Sequence, residues 1–382
     1  MNKWTYFFSR ELTEGNKEMK NLLGGKGANL AEMSSIGINV PPGFTITTNA
    51  CLSYQSEKIL IDDIKNSIQD SLQKLQELTG KKLGCSENPL LVSVRSGAAI
   101  SMPGMMDTVL NLGMNDEVVE TVSRNTKNPR FAWDSYRRFI EMYCDVVLGI
   151  NSSILSVSFE DFKADKGVDK DTDLTADDLK QVVQNFKQTL LQESGVSFPA
   201  DPHTQLWLAI EAVFKSWSNP RAIKYRELND ISHDLGTAVN VQSMVFGNFG
   251  DDSATGVCFT RDPSTGERRF FGEYLIIAQG EDVVSGTRTP CPINEYSKNE
   301  SNASNVTLES TLPEAYKELV SVYEILEAHY RDMQDMEFTI ERGELFLLQT
   351  RNGKRTAKAG IKIAVDLAKE GLISKKDAIL RV

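Results

Sequence analysis

The sequence predicts a mixed α/β (α+β) protein, built from two α/β parts with a helical segment inserted between them. Three observations lead to this prediction. Short runs that alternate apolar and polar residues, as strands do, occur near residues 90–95 and again from residue 236 onward. Charged, amphipathic sequence of helical period fills residues 114–198 between them. The length of 382 residues suggests two to three domains.

The first part begins with the glycine-rich segment "NLLGGKGANLAEM", which predicts a short helix from about Lys26. A long helix follows, because apolar residues keep helical spacing from Ile61 to Leu78 and Gly80 is a natural C-terminal stop. The run Leu90–Arg95 predicts a buried strand with Arg95 at its end, followed by the loop "SMPGMMDT".

The inserted segment is predicted to be helical throughout. One apolar stripe runs from Phe131 to Val147, and residues Thr175–Asp178 resemble a capping box that starts the next helix. After it, apolar residues from Leu206 to Trp217 predict another buried helix that ends at "SNP".

Strands dominate the second part. They are predicted within "GTAVNVQSMVFGNFG", "GVCFTR", "RRFFGEYLIIAQ", "DMEFTI" and "LFLLQTR". Residues Thr356–Val382 form an amphipathic helix with a second start at Ser374. Because the sequence stops directly after it, we expect the chain to be part of a longer protein.

Composition excludes some function classes. The 42 basic and 53 acidic residues give a net charge of −11, which argues against a nucleic-acid or membrane-surface binder. The sequence shows neither the apolar run of a signal peptide nor one long enough to span a bilayer. The five cysteines are scattered and form no CxxC motif. They therefore predict reduced thiols and a cytoplasmic location.

Two glycine-containing segments suit phosphate binding. In "LLGGKGANL", glycines before Lys26 at a helix start offer free amides and a mobile ammonium, although the Walker A spacing is missing. In the loop after Arg95, Ser101 and Gly104 permit close backbone approach to an anion that the arginine fork would hold. A turn-and-cap structure remains the alternative for the first segment. The alternative for the second is a surface turn whose methionines fill core gaps.

The segment "DMEFTIERGELFLLQTRNG" predicts a hairpin with a polar face. Asp335 and Glu337 share one side of a strand by alternation. If Arg342–Glu344 is a three-residue connection, Glu341 pairs with Leu345, and counting onward sets Glu337 opposite Gln349 and Asp335 opposite Arg351. A two-residue turn would instead put Leu348 opposite Glu337. Two carboxylates and an amide oxygen suit Mg²⁺, and surface salt bridges are the alternative.

Two further segments give weaker indications. Thr255-Gly256 in "DDSATGVCFTRDPSTG" precedes an apolar strand and could close over phosphates as a lid, or form a plain hairpin turn. In "QSMVFGN", Val245 would offer backbone groups to the edge of an adenine base beside the apolar Met244.

These motifs together resemble the N-terminal nucleotide-binding region of the pyruvate, phosphate dikinase family, which has an ATP-grasp fold. The resemblance covers essentially the whole chain, including "NPRFAWDSYRRFIEMY", "GEYLIIAQGEDVVSGTRTP" and "RDMQDMEFTIERGELFLLQTRNGKRTA". The segment "SMPGMMDT" separates this family from the related water-dependent synthase. The implied fold is an ATP-grasp of two α/β subdomains that enclose the nucleotide, with a helical insertion.

The resemblance also implies roles for individual residues. Lys26, Arg95 and Arg351 match catalytic phosphate-binding positions, and Thr255 matches a lid residue near the terminal phosphates. Asp335, Glu337 and Gln349 match the Mg²⁺-binding and ATP-binding trio, Glu281 a residue near the ribose, and Arg138 a position that docks the phosphohistidine domain. The complete predicted ATP-binding set is Lys26, Arg95, Ser101, Gly104, Gln242, Met244, Val245, Thr255, Glu281, Asp335, Glu337, Gln349 and Arg351.

The family's reaction moves a pyrophosphoryl group from ATP to a histidine on a central domain. Inorganic phosphate then takes the outer phosphoryl group, and the remaining phosphoryl group passes to pyruvate at a distant domain. His203, His233 and His329 are the only histidines of this sequence, and none has the "TSHAA"-like context of the carrier. His203 and His233 are expected in loops and His329 on a helix. The chain is therefore expected to catalyse at most the ATP and phosphate half.

The implied partners are ATP, inorganic phosphate and a central phosphohistidine domain, with a homodimer expected for the full-length protein. The alternatives are a non-catalytic nucleotide-sensing module, or a water-dependent dikinase or antibiotic phosphotransferase of the same fold. We expect residues 1–112 and 200–245 to form the first subdomain and residues 113–199 the helical insertion. Residues 246–354 would form the second subdomain, and residues 355–382 a helical linker toward the central domain.

Overall fold

The computed structural model describes residues 3–285, 288–299, 302 and 304–382. The chain folds as two compact units, each with one five-stranded antiparallel sheet. The first unit contains Met1–Ser35 and Pro42–Met244, and the second contains Ile36–Pro41 and Val245–Val382. Helices and antiparallel strands together confirm the predicted mixed α/β class. The four-part division into subdomains, insertion and linker stays a prediction.

The sheet of the first unit has the strand order β1-β2-β5-β3-β4. Helix α1 packs on β3 and β5, and α8 also contacts these strands. Its strands are β1 (Thr5–Phe8), β2 (Gly43–Ile46), β3 (Val92–Ala98), β4 (Thr108–Leu112) and β5 (Thr237–Ser243). The helices of this unit are α1 (Lys20–Ser35), α2 (Thr48–Glu57), α3 (Asp62–Thr79), α4 (Asp116–Thr126), α5 (Pro129–Val146), α6 (Ser153–Lys166), α7 (Ala176–Ser194), α8 (Pro202–Ser216) and α9 (Pro220–Leu228).

The predicted helical character of residues 114–198 is confirmed by α4 to α7. Helix α5 buries its apolar stripe against α7 and β4, and Phe139 and Tyr143 meet the ring of Phe198 edge-on. The predicted capping box at Thr175 and Asp178 is present at the start of α7. Gln205 of α8 ties these helices to the sheet, because its amide accepts from Gly113 and donates to two backbone carbonyls.

The sheet of the second unit has the strand order β10-β9-β6-β7-β8, so β6 lies in its centre. Leu319 and Leu326 of α12 are fully buried, and this helix packs against β9 and β10. The strands are β6 (Ala254–Phe259), β7 (Phe271–Ile276), β8 (Cys291–Pro292), β9 (Gln334–Glu341) and β10 (Glu344–Asn352). The helices are α10 (Gly280–Ser285), α11 (Leu308–Thr311), α12 (Pro313–Tyr330), α13 (Ala357–Lys369) and α14 (Lys375–Leu380).

The C-terminal helices belong to the core of the second unit. Ile363 and Leu367 of α13 are buried in one cluster with Met333. The predicted second start at Ser374 is confirmed by a capping box with Asp377. None of the described helices combines the length and the apolar character needed to cross a membrane.

Two expectations about elements were wrong, and a third was confirmed. Strand β3 extends past Arg95 to Ala98, and β4 pairs with it, so Arg95 lies inside a strand and not at its end. The predicted end of the buried helix at "SNP" is confirmed, because α8 ends at Ser216. Pro220 of this segment also occupies the first turn of α9, where its missing N–H costs no hydrogen bond. His203 lies in the first turn of α8, where the sequence predicted a loop.

A buried ion-pair network joins the sheet of the second unit to α12 and to the end of α13. The fully buried Arg261 donates from Nε and Nη2 to Glu327, at 3.0 and 2.8 Å, and from Nη2 to Glu370 at 2.7 Å. Thr260 Oγ1 donates to the same Glu327 carboxylate at 2.6 Å. The guanidinium therefore depends on Glu327 for its charge balance.

We predict that Glu327→Ala destabilises the protein by about 3–5 kcal/mol, because it leaves the Arg261 charge buried without its main partner. Glu314→Ala, at an exposed position of the same helix, is the matched control and should change stability by less than about 0.5 kcal/mol. Urea unfolding followed by circular dichroism measures both. Equal stability of the two variants would contradict this role for Glu327.

Candidate functional site

The start of α1 is shaped by close contact between glycines. Gly24 has φ of 67° and ψ of 166°, so the regular helix begins only after it. A Cβ at Gly24 would lie 1.7 Å from the carbonyl oxygen of Gly97 in β3. Gly25 lies beside the carbonyls of Ala98 and Ala99, where β3 leads into the following loop. Lys26 is thereby placed in the first regular turn, as the sequence predicted.

Lys26 and Arg95 lie on the same face of the first sheet. Arg95 and Gly97 are two residues apart in β3, so their Cα–Cβ directions share one side of the sheet, about 7 Å apart. A Cβ at Gly97 would lie 3.5 Å from Lys26 Cβ. Arg95 pairs with Thr108 of β4 and Asn240 of β5. The structure therefore brings two of the predicted phosphate-binding residues together beside a helix N-terminus.

The other candidates of the first unit lie around this strand. Ser101 and Gly104 are exposed in the loop between β3 and β4, and Gly104 has φ of 71° with no atom near an added Cβ. Met102 is buried. This agrees with the alternative prediction, in which methionines of this loop fill gaps in the core. Gln242 is buried in β5 opposite Ser93, and Met244 donates its N–H to Leu91 just after the strand.

In the second unit, the turn of the β9–β10 hairpin differs from the prediction. Glu341 pairs with Glu344 and not with Leu345, so the turn contains only Arg342 and Gly343. Their φ values of 52° and 80° are those of a type I′ turn. By itself this turn would place Leu348 opposite Glu337, which is the alternative register that the sequence leaves open.

A β-bulge at Leu348 restores the predicted pairing. The register shifts between Leu347 and Gln349, so Gln349 lies opposite Glu337 and Arg351 opposite Asp335. The predicted cross-strand pairs are therefore confirmed, but the turn used to derive them was wrong. Bulges re-aim side chains in this way next to functional sites.

The resulting face carries two carboxylates, an amide and a guanidinium. Arg351 Nε donates to Asp335 Oδ2 at 2.7 Å. Burial raises the pKa of the Asp335 carboxyl, and Arg351 offsets this only in part. Glu337 and Gln349 are half-buried. The described residues contain no group of three or more His, Cys, Asp or Glu that could hold a metal. A metal here would need ligand oxygens from phosphate, which is the usual arrangement for Mg²⁺.

Thr255 lies within the central strand β6 and not in a lid or turn. It pairs with Thr339 of β9, and its hydroxyl donates to the Phe338 carbonyl at 3.1 Å. The following Gly256 has no room for a side chain, since a Cβ would lie 2.6 Å from the Phe338 ring. Alternation places Thr255 on the same face of the sheet as Glu337, because Val257 is the direct partner of Glu337.

Two predicted residues lie away from these strands. Glu281 is half-buried in the first turn of α10. Arg138 of α5 donates to Asp134 at 3.1 Å. Burial opposes ionisation of Asp134, but Arg138 and Arg137 outweigh it and hold the pKa of that carboxyl well below its usual range. Arg138 therefore has a structural partner in addition to its predicted docking role.

Sequence reasoning missed one residue of the polar face, Glu341. Its carboxylate Oε2 accepts the backbone N–H of Phe246 at 2.6 Å, directly after the predicted adenine-contacting Val245. The period-two spacing of Asp335, Glu337 and Glu341 was the available signal.

A helix start beside Lys26 and Arg95, and a carboxylate-bearing sheet face in a second α/β unit, are typical of proteins that bind a nucleotide through its phosphates. Comparison with known proteins narrows this class. The family described as "Pyruvate phosphate dikinase, AMP/ATP-binding domain" matches residues 20–83, 57–302 and 291–371. The chain belongs to this family, which confirms the resemblance and the ATP-grasp fold class.

Curated relatives are similar along the whole chain. Pyruvate, phosphate dikinase of Clostridium symbiosum is 55% identical over 384 residues, and that of Rhizobium meliloti is 52% identical over 383 residues. The chloroplastic enzyme of Flaveria trinervia is 54% identical over 381 residues. These alignments cover 100% of this chain but only 42%, 43% and 39% of the relatives. The chain thus spans about 40% of their length.

We predict that Gly24→Ala destabilises the protein more than Gly80→Ala does. Both positions have positive φ, so each alanine carries a backbone penalty of about 1–2 kcal/mol. Nothing lies within 4 Å of a Cβ at Gly80, whereas at Gly24 it would collide with Gly97. Urea unfolding of the two variants isolates this collision, and titration with ATP should show weaker binding only for Gly24→Ala. Equal losses of stability would disprove the close-contact argument.

Proposed function

We propose that this chain is the N-terminal, ATP-binding part of a pyruvate, phosphate dikinase. In this proposal it transfers the β,γ-pyrophosphoryl group of ATP to a histidine of a central domain, and then a phosphoryl group from that histidine to inorganic phosphate. The register of the β9–β10 hairpin supports this most strongly, because it sets Glu337 beside Gln349 and Asp335 beside Arg351 on one face. A plain structural hairpin has no need of this combination.

The donor set of this face fits a divalent cation shared with phosphates. Asp335, Glu337 and Gln349 would hold Mg²⁺, which when bound neutralises charge on phosphate oxygens. Arg351 carries a planar fork suited to a phosphoryl group that develops charge. In the first unit, Lys26 and the amides of the α1 start would bind further phosphate oxygens. Each of these groups acts by positioning and electrostatics, which is how phosphoryl transfer is mostly catalysed.

The proposal also limits what the chain does alone. Arg226 Nε donates to His233 Nδ1 at 3.0 Å, and His329 lies within α12. Neither has the sequence context of a phosphoryl carrier, and neither does His203. We therefore infer that the isolated chain binds Mg-ATP but does not convert pyruvate to phosphoenolpyruvate. A homodimeric full-length protein and a cytoplasmic location are part of the same proposal and are supported by the family resemblance and the composition.

The direct test of the metal-binding face is Glu337→Ala. We expect this variant to weaken Mg²⁺-dependent ATP binding by about tenfold or more while stability changes by less than about 1 kcal/mol, because Glu337 is only half-buried. Calorimetric titration with ATP at several Mg²⁺ concentrations, together with urea unfolding, measures both effects. Glu344→Ala, an exposed position on the same hairpin, is the control and should behave as wild type. Unchanged ATP binding by Glu337→Ala would refute the proposed metal face.

Arg351→Lys tests the catalytic role of the guanidinium. We expect nearly unchanged ATP binding but slower transfer to a separately produced central domain, by about 10²–10³ in single-turnover rate, because lysine keeps the charge but loses the planar fork. If Arg351 only pins the hairpin through Asp335, the variant would lose stability and keep its rate. A wild-type rate in Arg351→Lys would therefore exclude the catalytic role.

A further inference from the structure

One backbone hydrogen bond connects the polar face of the second sheet to the segment predicted to contact adenine. Phe246 N donates to Glu341 Oε2 at 2.6 Å. Glu341 is the last residue of β9, and alternation puts it on the same side of that strand as Asp335 and Glu337. This acceptor is a side chain, so it can be altered without disturbing the strand pairing.

The hydrogen bond fixes the direction of the peptide that joins Val245 and Phe246. This peptide is trans, so its N–H and C=O groups lie in one plane and point in opposite directions. Because the Phe246 N–H points at Glu341, the Val245 carbonyl points away from that carboxylate. A carbonyl so oriented can accept a hydrogen bond from the exocyclic amino group of an adenine. It would face unfavourably toward the carbonyl oxygen that guanine carries at the same position.

The rest of this segment is held by two backbone hydrogen bonds and one side-chain contact. Ala278 N donates to the Gly247 carbonyl at 3.0 Å, and Gly343 N donates to the Asp252 carbonyl at 2.8 Å. The Arg342 guanidinium lies 4.0 Å from the centre of the Phe249 ring. Gly247 cannot carry a side chain, since a Cβ would lie 2.5 Å from the Ala278 carbonyl oxygen. These contacts fix residues 247–252, and the Glu341 carboxylate fixes the peptide just before them.

We propose that Glu341 is a positioning residue for recognition of the adenine base. It does not touch the nucleotide, but orients the Val245 carbonyl through the Phe246 N–H. This inference rests on the proposed function, because it assumes an adenine nucleotide at Val245. In this proposal, Glu341 affects recognition of the base, whereas Lys26, Arg95 and Glu337 bind the phosphates.

The test compares dissociation constants for Mg-ATP, Mg-GTP and inorganic tripolyphosphate, measured by calorimetry on the whole chain. Glu341→Ala should weaken ATP binding by roughly tenfold, which is the loss of the one hydrogen bond that the Val245 carbonyl would accept from the base, and should leave tripolyphosphate binding unchanged. The preference for ATP over GTP should fall by a similar factor. Glu341→Gln should bind ATP within about threefold of wild type, because its amide oxygen can still accept from Phe246 N. Glu344→Ala is the matched control and should leave all three constants unchanged.

Three results would overturn the inference. One is unchanged ATP binding by Glu341→Ala, and another is an equal loss of ATP and tripolyphosphate binding. The third is a Glu341→Gln variant as weak as Glu341→Ala, which would show that negative charge and not peptide orientation matters. A wild-type chain that binds none of the nucleotides would instead remove the proposed function, and this inference with it.

Discussion

The pairing register between β9 and β10 is the constraint on which the candidate chemistry of the second unit depends. The two-residue turn at Arg342 and Gly343 alone would set Leu348 opposite Glu337 and Arg351 opposite Gln334. Gln349 and Arg351 would then point to the side of β9 that carries the fully buried Gln334, Met336 and Phe338. The bulge at Leu348 adds one residue to β10 and returns both side chains to the face of Asp335 and Glu337. One unpaired residue thus decides which side of the sheet carries the charge.

The first unit brings its candidate residues together by a different means. Here the decisive feature is the absence of side chains at Gly24 and Gly97, which lets the α1 start lie directly on β3. Lys26 then follows within one turn, and Arg95 precedes Gly97 on the same face. The close approach explains why small residues continue β3 beyond Arg95. A strand built of larger residues there would hold the helix start away from the sheet.

Much of this structure could be predicted from the sequence where a feature depends on neighbouring residues. The α3 helix, its Gly80 stop and the capping boxes at Thr175 and Ser374 are examples. The extension of β3 through Ser96, Gly97 and Ala98 could not be predicted, because these residues show no apolar alternation and are fixed by contact with α1.

The candidate site likewise contains some features that the sequence predicts and others that it does not. Alternation predicts that Asp335 and Glu337 share a face, but the two-residue turn pairs Asp335 with Arg351 only because of the bulge. Its one local sign is the adjacent buried pair Leu347 and Leu348, which breaks the period of two. The sequence leaves Thr255-Gly256 open between a lid and a plain hairpin turn, and the family resemblance matches Thr255 to a lid residue. In the structure, Gly256 is required by the Phe338 ring of the neighbouring strand, a contact that no local pattern reveals.

We propose that this chain is an ATP-using phosphotransferase part that acts on a histidine of another domain. The most direct measurement is the intact mass of a separately produced central domain of a related dikinase, after incubation with this chain and Mg-ATP. With Mg-ATP alone, we expect the mass of the domain to increase by one pyrophosphoryl group. When inorganic phosphate is also present, we expect the mass to increase by only one phosphoryl group. A chain that binds ATP but leaves the mass of the domain unchanged under both conditions would contradict the account.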